Sequence, residues 1–379
     1  MKLKSILFSF VFLLFIWSCK PEKSSRIIHS EISIVKNKYA GLFEIRKSEK
    51  YTQVIIRNLP EENPIDEFFL VDKKIDIPDE ISDNKIIRVP VQKVVCLSTT
   101  HISFIDLLNK TATIKAVSGS NYVNNKQVIQ NIENGKVIDI GYEENIDIEQ
   151  LITINPDVVF AYNIGNNLSS IITKAEKLKI PFVTINEYRE NSILGQTEWL
   201  KLFAEFYKET ENADSIYNKI VTEYNTVSKL CETVTNRPTI LANMPWKADW
   251  HIPGGRSYIA QLINDAGGNY LWKEDSTIHN IASTTEKVYK KASKAQIWIN
   301  PGQANSLNEI INTDTRLSGF EPYKKGEVYN CNAKKNANGS PEYYETSVVK
   351  PQILLKDLVK IFHPELLPNY ELYYYQKLK

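Results

Sequence analysis

The chain has 379 residues, of which 42% are apolar, and its 46 Lys and Arg residues nearly balance its 45 Asp and Glu residues. A length above the usual single-domain size of about 100–200 residues predicts two or more compact units. A net charge of +1 excludes a nucleic-acid-binding protein, because that class needs a strongly basic surface.

Residues 1–18 have the pattern of a secretion signal peptide. Two lysines in "MKLK" precede an apolar run over residues 6–17 that only Ser9 interrupts. A membrane-spanning helix needs about 20 residues, so this shorter run predicts a targeting segment. The following "FIWSC" resembles a lipobox and predicts lipid attachment at Cys19, with ordinary cleavage at a nearby site as the alternative. Residues 19–29 then form a polar tether to a membrane.

Residues 30–85 alternate apolar and polar side chains, which is typical of strands with one buried face. The alternation predicts three short antiparallel strands that form a small β appendage. Its apolar positions are Phe43, Ile45, Val54, Ile56, Phe69 and Val71. This appendage either covers an edge of the next unit or contacts a partner.

Short apolar segments alternate with helix-like segments from residue 88 to residue 190. "VQKVVCLS" precedes "HISFIDLLN", and "SSIITKAEKLKI" precedes "FVTIN". This alternation is typical of a parallel sheet with helices on both faces and predicts an amino-terminal α/β lobe. The alternation returns over residues 237–379, from "TILANM" through "TEKVYKKASKAQIWINPG" to "PQILLKDLVKIFHPEL", and predicts a carboxy-terminal α/β lobe.

Residues 192–232 join the two lobes. Apolar side chains at three- and four-residue spacing predict two consecutive helices, the second about 20 residues and therefore about 30 Å long. The apolar positions are Trp199, Phe203, Phe206, Ala213, Ile216, Tyr217, Ile220, Tyr224 and Val227. The predicted fold class is therefore α/β, with two lobes of parallel-rich sheets joined by a long rigid helix, plus a small N-terminal antiparallel β appendage.

The segment "HIPGGRSYIAQLINDAGGNYLW" combines two glycine pairs with a single arginine, Arg256. The first pair, Gly254 and Gly255, precedes an amphipathic helix, and Gly267 and Gly268 end that helix. A loop after a strand of an open α/β sheet faces the ligand crevice. We therefore expect the first glycine pair and Arg256 to approach a ligand, with a plain turn and a solvated arginine as the alternative.

Aromatic and histidine side chains in loops after strands are the candidate ligand contacts. Trp246 and Trp250 follow "TILAN", and His101 follows the first strand of the amino-terminal lobe. A place in the hydrophobic core is the alternative for the tryptophans, and a structural role is the alternative for His101. His251 and His279 could also reach the cleft, which leaves a metal-ligand set open.

Motifs that mark hydrolases and metal sites, such as GxSxG, HExxH and CxxC, are absent from the sequence. We therefore expect neither an enzyme nor a protein-held metal. Cys231 and Cys331 are the pair that could form a disulfide, because Cys96 lies in an apolar run. The odd number of cysteines that follow Cys19 favours free buried thiols instead.

The order of these segments resembles the class III substrate-binding lipoproteins of ABC importers for iron–siderophore complexes, haem and cobalamin. The resemblance covers residues 88–379 and is carried by "VVCLSTTHISFIDLL", "NIDIEQLITINPDVVFAY", "HIPGGRSYIAQLINDAGGNYLW" and "STTEKVYKKASKAQIWINPG". The β appendage and the ending "ELYYYQKL" are similar to a subgroup of this family from Bacteroidetes. The resemblance implies a lipid-anchored protein of the cell envelope, facing the periplasm, that delivers a solute to an inner-membrane permease and its ATPase. It implies no cofactor beyond that solute.

The resemblance also implies roles for individual residues. One surface glutamate on each lobe docks onto the permease in this family, and the matching positions are Glu149 in "IEQLI" and Glu286 in "TTEKVY". Tyr162 lies where cobalamin-binding members place an aromatic contact, whereas Asn280 stands where those members have a tryptophan. The expected ligand wall consists of His101, Tyr122, Tyr162, Met244, Trp246, Trp250 and Arg256.

We therefore expect the cleft between the lobes to capture an iron–siderophore complex or a corrinoid of the cobalamin type. One alternative is a haem carrier with His101, Tyr162 or His251 as axial ligand to iron. A second is a free-metal carrier, which would need a compact set of His, Asp and Glu ligands. The third is an envelope enzyme on the same scaffold.

Overall fold

A computed structural model describes residues 32–57, 64–142, 145–162, 177–247 and 249–379. The predicted signal peptide, Cys19 and the tether lie outside the described residues. Among the residues that are described, no helix combines the length and apolar character needed to cross a membrane.

The amino-terminal sheet has five strands in sequential order. They are β1 (Ser33–Val35), β2 (Phe43–Lys47), β3 (Thr52–Arg57), β4 (Pro64–Asp72) and β5 (Ile86–Val89). Pairing is antiparallel from β1 to β4, and β4 and β5 pair in parallel. The sheet is thus larger than the three predicted strands, because the short strands β1 and β5 carry too few alternating residues to be recognised from sequence.

This sheet packs directly on the helices that follow the amino-terminal lobe. The Phe43 ring meets the Trp199 ring edge-on at 5.0 Å between centroids. The Glu198 carboxylate accepts hydrogen bonds from the backbone amides of Lys38, Tyr39 and Ala40, at 2.9, 2.7 and 2.9 Å. The apolar side chains of this sheet share one continuous core with both lobes, so the sheet is an integral layer of the molecule.

The sheet of the amino-terminal lobe is parallel throughout, with the strand order β10-β9-β6-β7-β8. Its strands are β6 (Val94–Cys96), β7 (Ile114–Val117), β8 (Ile138–Asp139), β9 (Val158–Ala161) and β10 (Phe182–Thr184). Helices α1 (Thr99–Leu107), α2 (Lys126–Glu133) and α3 (Ile148–Ile154) follow β6, β7 and β8. Every residue of β6 and β9 is buried, as expected for a sheet covered on both faces.

Three helices connect the lobes, namely α4 (Ile193–Glu198), α5 (Leu200–Tyr207) and α6 (Thr210–Lys229). The 20 residues of α6 match the predicted length of the second helix. The first predicted helix is divided at Trp199 into α4 and α5. The Tyr217 hydroxyl of α6 donates to the Leu194 carbonyl at 3.2 Å, and the Tyr224 hydroxyl donates to Asp265 of the carboxy-terminal lobe at 2.7 Å. The long helix is therefore fixed at two points along its length.

The carboxy-terminal lobe has a main sheet in the order β14-β11-β16-β17-β18, parallel except for β18. Its strands are β11 (Thr239–Ala242), β14 (Asn269–Tyr270), β16 (Ile297–Ile299), β17 (Val328–Asn330) and β18 (Gln376–Lys377). A second, antiparallel sheet consists of β12 (Pro245–Trp246), β13 (Asp249–Pro253) and β15 (Asn280–Ser283). The helices are α7 (Tyr258–Asp265), α8 (Thr285–Ala292), α9 (Leu307–Thr313), α10 (Glu321–Lys324), α11 (Tyr343–Thr346) and α12 (Pro351–Phe362). The two parallel-rich sheets and the long connecting helix confirm the predicted fold class.

The tyrosine-rich ending of the chain is held against α12 by one buried carboxylate. Asp357 accepts hydrogen bonds from the backbone amides of Tyr373, Tyr374 and Tyr375, at 2.9, 2.6 and 3.0 Å. The Tyr370 hydroxyl donates to the same carboxylate at 2.8 Å. These bonds position β18 to extend the main sheet.

Candidate ligand-binding cleft

A cleft lies between the two lobes at the carboxyl ends of their parallel strands. Its first chamber has a volume of about 570 Å³. The amino-terminal lobe contributes Tyr188, Arg189 and Glu190, which follow β10, and the carboxy-terminal lobe contributes loops that follow β11, β16 and β17. This position agrees with the rule that ligands bind outside the carboxyl ends of strands in open α/β sheets.

A second chamber of about 640 Å³ adjoins the first. Asn121 and Tyr122 line it from the amino-terminal lobe. Gly302, Cys331 and Tyr344 line both chambers, so the two hollows meet at these residues. Each chamber has the size that a small-molecule site requires, about 300–1,000 Å³.

The lobes contact each other directly beside the second chamber. The side-chain amide of Asn336 donates to the backbone carbonyls of Asn121 and Val123, both at 2.8 Å. The backbone amide of Asn124 donates to the Glu345 carboxylate at 2.6 Å. These bonds, together with α6, hold the lobes at a fixed spacing.

Three predicted wall residues line the cleft. Met244 and Trp246 lie in the first chamber, and Tyr122 lies in the second. The Trp246 side chain is 66% exposed, with the Lys247 ammonium 4.4 Å from its ring centroid. A large aromatic ring left in water at the mouth of a cavity is an open contact surface for a ligand.

Trp250 is not a wall residue, which corrects the prediction. Its side chain is fully buried, and its indole N–H donates to the Ala242 carbonyl at 3.1 Å. The ring stacks on Trp298 with the centroids 5.8 Å apart. Because side chains alternate between the faces of a strand, β13 turns Trp250 into the core and His251 toward the first chamber.

His101 is also a core residue, and its predicted place in the ligand wall is wrong. Its side chain is fully buried in α1, with the rings of Phe160 and Phe203 at 6.2 and 6.1 Å between centroids. Burial lowers the pKa of His101 to about 3, an effect that the Phe160 backbone only partly offsets. The helix begins at Thr99, because the Ser98 side chain accepts a hydrogen bond from the Thr100 amide, and this turns His101 inward.

Arg256 and the first glycine pair lie outside the described lining of the two chambers. Arg256 is exposed and is not among the residues that line either chamber. A Cβ atom on Gly254 would lie 2.4 Å from the Thr277 carbonyl oxygen, and one on Gly255 would lie 2.4 Å from that of Asp275. The glycines therefore permit close packing against the chain's own loop, and the predicted approach to a ligand is wrong for this pair.

Tyr162 lies immediately after β9, half-buried against the second apolar cluster of the amino-terminal lobe. It does not belong to the described lining of either chamber. A contact between Tyr162 and the solute therefore stays a prediction.

Several lining residues of the first chamber were missed by sequence reasoning. They are Tyr188, Arg189, Glu190, Asn243, Tyr258, Asn300, Tyr343 and Tyr344. Asn243 and Asn300 directly follow β11 and β16 with positive φ angles of 62° and 57°. Asparagine tolerates this left-handed conformation, so an asparagine that ends a buried strand is the signal that could have identified both positions.

No group of three or more His, Cys, Asp and Glu residues in the described chain is arranged to hold a metal ion. His251 and His279 both line the first chamber and offer two imidazoles to a metal that arrives within a ligand. Cys96, Cys231 and Cys331 are buried free thiols. The suggested bridge between Cys231 and Cys331 is therefore absent from this structure.

Glu149 and Glu286 occupy equivalent places on the two lobes. Each is the second residue of a short helix, α3 or α8, and each is exposed. The residue before each helix, Asp147 or Thr284, caps it through its side chain. The pKa of Glu286 is lowered by its own backbone amide, by the Thr284 hydroxyl and by an ion pair with Arg316. Both carboxylates are thus presented to solvent, and their docking role stays a prediction.

The comparisons with known proteins agree with this geometry. A model of the family described as periplasmic binding protein matches residues 94–334. An uncharacterized lipoprotein of Methanocaldococcus jannaschii is 27% identical over 324 residues, which is 82% of this chain and 75% of the relative.

Two solved structures share the fold at low sequence identity. One is a possible iron-binding, periplasmic solute-binding protein from Staphylococcus epidermidis, with a TM-score of 0.57 and 13% identity over 72% of this chain and 99% of that chain. The other is a periplasmic heme-binding protein from Pseudomonas aeruginosa, with a TM-score of 0.55 and 12% identity over 73% of this chain and 94% of that chain. The matched family is one of binding proteins and not of enzymes. The family match extends over more than half of the chain and includes parts of both lobes, so this chain belongs to the periplasmic binding protein family.

Proposed function

We propose that this protein is the lipid-anchored substrate-binding component of an ABC importer, and that the cleft captures an iron–siderophore or cobalamin-type chelate. The observation that carries the proposal is the first chamber, whose aromatic lining comes from both lobes. Tyr188 lines it from the amino-terminal lobe, while Trp246, Tyr258 and Tyr344 line it from the other. Flat aromatic surfaces on two sides suit a large, rigid solute.

The fixed spacing of the lobes supports capture in a largely pre-formed site. Helix α6 bonds to the connecting helix α4 through Tyr217 and to the carboxy-terminal lobe through Tyr224, and Asn336 joins the lobes beside the second chamber. A site that needs little reorganisation loses little free energy when the solute binds. Docking through Glu149 and Glu286 then delivers the loaded protein to the permease of the inner membrane.

Titration calorimetry with a panel of chelates tests the proposal. The panel consists of a ferric trihydroxamate, a ferric tricatecholate, hemin and cyanocobalamin. We expect at least one of them to bind, and Trp246→Ala to weaken that binding by more than about 1 kcal/mol, because an aromatic contact is lost. Trp246→Phe keeps a ring at the same position and is the matched control. It should lose less chelate affinity than Trp246→Ala. Binding that is identical in the wild type and in Trp246→Ala would contradict the aromatic wall.

Haem is the second candidate, and His251 and His279 favour it. Both imidazoles line the first chamber, and imidazole is a common axial ligand of haem iron. Addition of hemin to the protein should then produce a shifted Soret band that His251→Ala or His279→Ala alters. A Soret band that neither substitution changes would exclude axial ligation by these residues.

A further inference from the structure

The second chamber of the cleft differs from the first in the chemistry of its wall. Six of its 14 described lining residues carry a side-chain carboxamide, and none of the described lining residues is Asp, Glu, Leu, Ile or Val. The carboxamides belong to Asn121, Gln303, Asn305, Asn330, Asn332 and Asn338. The first chamber instead contains five tyrosine and tryptophan rings together with Met244, Ile259 and Ile278. Two joined chambers with such different walls suit a solute that has two chemically different parts.

Two buried carboxamides fix the wall of the second chamber. The Asn330 side chain donates to the backbone carbonyls of Gly302 and Ala304, at 3.0 and 2.7 Å. The Asn332 side chain donates to the same Ala304 carbonyl at 3.1 Å. Buried polar groups that are hydrogen-bonded in this way make the structure around them rigid. The loop that carries Gln303 is therefore held in place before a solute arrives.

Three other carboxamides are open to a solute. The side chains of Asn121, Gln303 and Asn338 are exposed, and they hydrogen-bond to no other residue in the described part of the chain. Each carboxamide offers two N–H donors and one acceptor oxygen. Hydroxyl and amide groups can use both the donors and the acceptor, whereas an ionised carboxylate can use only the donors. The open side chains therefore favour a neutral ligand that both donates and accepts hydrogen bonds.

The charge of the second chamber is low. Lys335 is the one charged residue among its described lining residues, and it donates a hydrogen bond to the Asn305 side chain. The backbone and side-chain amides of Asn305 donate to the Glu309 carboxylate at 2.8 and 3.0 Å. These bonds lower the pKa of Glu309, and the charge of Lys335 adds to the effect. A carboxylate thus accompanies the ammonium group, so the chamber is not prepared for an anion.

Two tyrosine rings, one from each lobe, complete the second chamber. Tyr122 and Tyr344 line it and are 49% and 55% exposed. The Tyr122 ring packs against the Tyr142 ring at 5.1 Å between centroids, and the Tyr344 ring meets the Tyr343 ring edge-on at 5.2 Å. Each ring offers a flat apolar face and a polar hydroxyl group. Such faces suit a sugar ring or a heterocyclic base, whose polar edges can then reach the carboxamides.

We infer, on the basis of the proposed function, that the second chamber is a separate subsite for a neutral appendage of the solute, rich in hydroxyl or amide groups. The first chamber holds the metal chelate itself, and the appendage passes the junction at Gly302, Cys331 and Tyr344. The second chamber, at about 640 Å³, is no smaller than the first, at about 570 Å³. A chelate without an appendage therefore fills only part of the cleft and binds more weakly.

Two pairs of probes test the subsite, and the members of each pair differ mainly in the appendage. Cyanocobalamin carries a nucleotide that dicyanocobinamide lacks. A ferric tricatecholate with glucose on its rings is compared with the same chelate without glucose. In titration calorimetry on the wild type, the member with the appendage should bind about tenfold or more tighter in at least one pair, because hydrogen bonds and a ring contact are added. The pair that shows the difference identifies the appendage as a nucleotide or a sugar.

Substitutions in the second chamber should act only on the probe with the appendage. Gln303→Ala combined with Asn338→Ala should lower its affinity about tenfold, because both side chains lose their hydrogen bonds to the appendage. The same protein should bind the probe without the appendage as the wild type does. Gln130→Ala combined with Asn218→Ala is the matched control, because these exposed carboxamides lie on α2 and α6, outside both chambers. The control should bind every probe as the wild type does.

The failure of the subsite and the failure of the proposed function are distinguishable. Equal affinity for the two members of both pairs would overturn the inference, and so would binding of hemin or a trihydroxamate with neither appended probe bound. An unchanged affinity, or an equal loss for both members, in the Gln303→Ala, Asn338→Ala protein would also overturn it. In each of these cases the proposed function stands if Trp246→Ala still weakens chelate binding. If no chelate binds to the wild type, the proposed function fails and this inference fails with it.

Discussion

Trp246 and Trp250 lie four positions apart and should respond to substitution in opposite ways. Trp250→Ala removes a fully buried ring that stacks on Trp298 and contacts Phe320, and it leaves the Ala242 carbonyl without its indole donor. Replacement of a buried tryptophan by alanine costs about 3–5 kcal/mol of the free energy of unfolding. Trp246→Ala removes a ring that is 66% exposed, so we expect a cost below about 1 kcal/mol from the lost contact with Lys247.

Urea unfolding followed by far-UV circular dichroism measures both free energies without depending on tryptophan fluorescence. Calorimetry with a chelate should show the reverse order for binding. Trp246→Ala should lower the affinity strongly, and folded Trp250→Ala should lower it only slightly. Equal destabilisation by the two substitutions would refute the assignment of one ring to the core and the other to the cleft. A specific loss of binding in stable Trp250→Ala protein would refute it as well.

Three further predictions concern buried ionisable groups and the docking glutamates. Because the pKa of His101 is lowered to about 3 from 6.5, the free energy of unfolding should fall as pH drops below about 6.5, and His101→Phe should reduce that fall in acid-unfolding curves. Because burial raises the pKa of Glu345 from 4.5 to about 7, this group's contribution to stability is lost as pH rises through that range. Glu345→Gln keeps an acceptor for the Asn124 amide and should reduce the fall in the free energy of unfolding between pH 4.5 and about 7, measured by urea unfolding. An unchanged pH profile would contradict the burial of Glu345. Glu149→Arg with Glu286→Arg should leave chelate affinity unchanged and abolish uptake into cells, and surviving uptake would disprove the docking assignment.

The sequence predicted the architecture because its signals are local. Buried strands alternate with helices in both lobes, and the spacing of apolar side chains along residues 210–229 marks the long helix. The strand-end rule also located Met244 and Trp246 correctly in the cleft. These features depend on a few neighbouring residues, so a single sequence contains them.

Parts of the site depend on contacts between distant residues, and these were missed. Tyr188 and Tyr344 meet in one chamber although more than a hundred positions separate them, because the packing of the lobes brings their loops together. The first glycine pair was misinterpreted for a similar reason, since the carbonyl groups that crowd Gly254 and Gly255 belong to a later loop. Trp250 is different, because the alternation along β13 already separates Trp250 from His251.

Native mass spectrometry of the protein purified from its own host tests the central claim most directly. The account predicts a bound small molecule that contains iron or cobalt and that is lost from Trp246→Ala protein prepared in the same way. A co-purified molecule without a metal, or one retained equally by Trp246→Ala protein, would contradict capture of a metal chelate in the interlobe cleft.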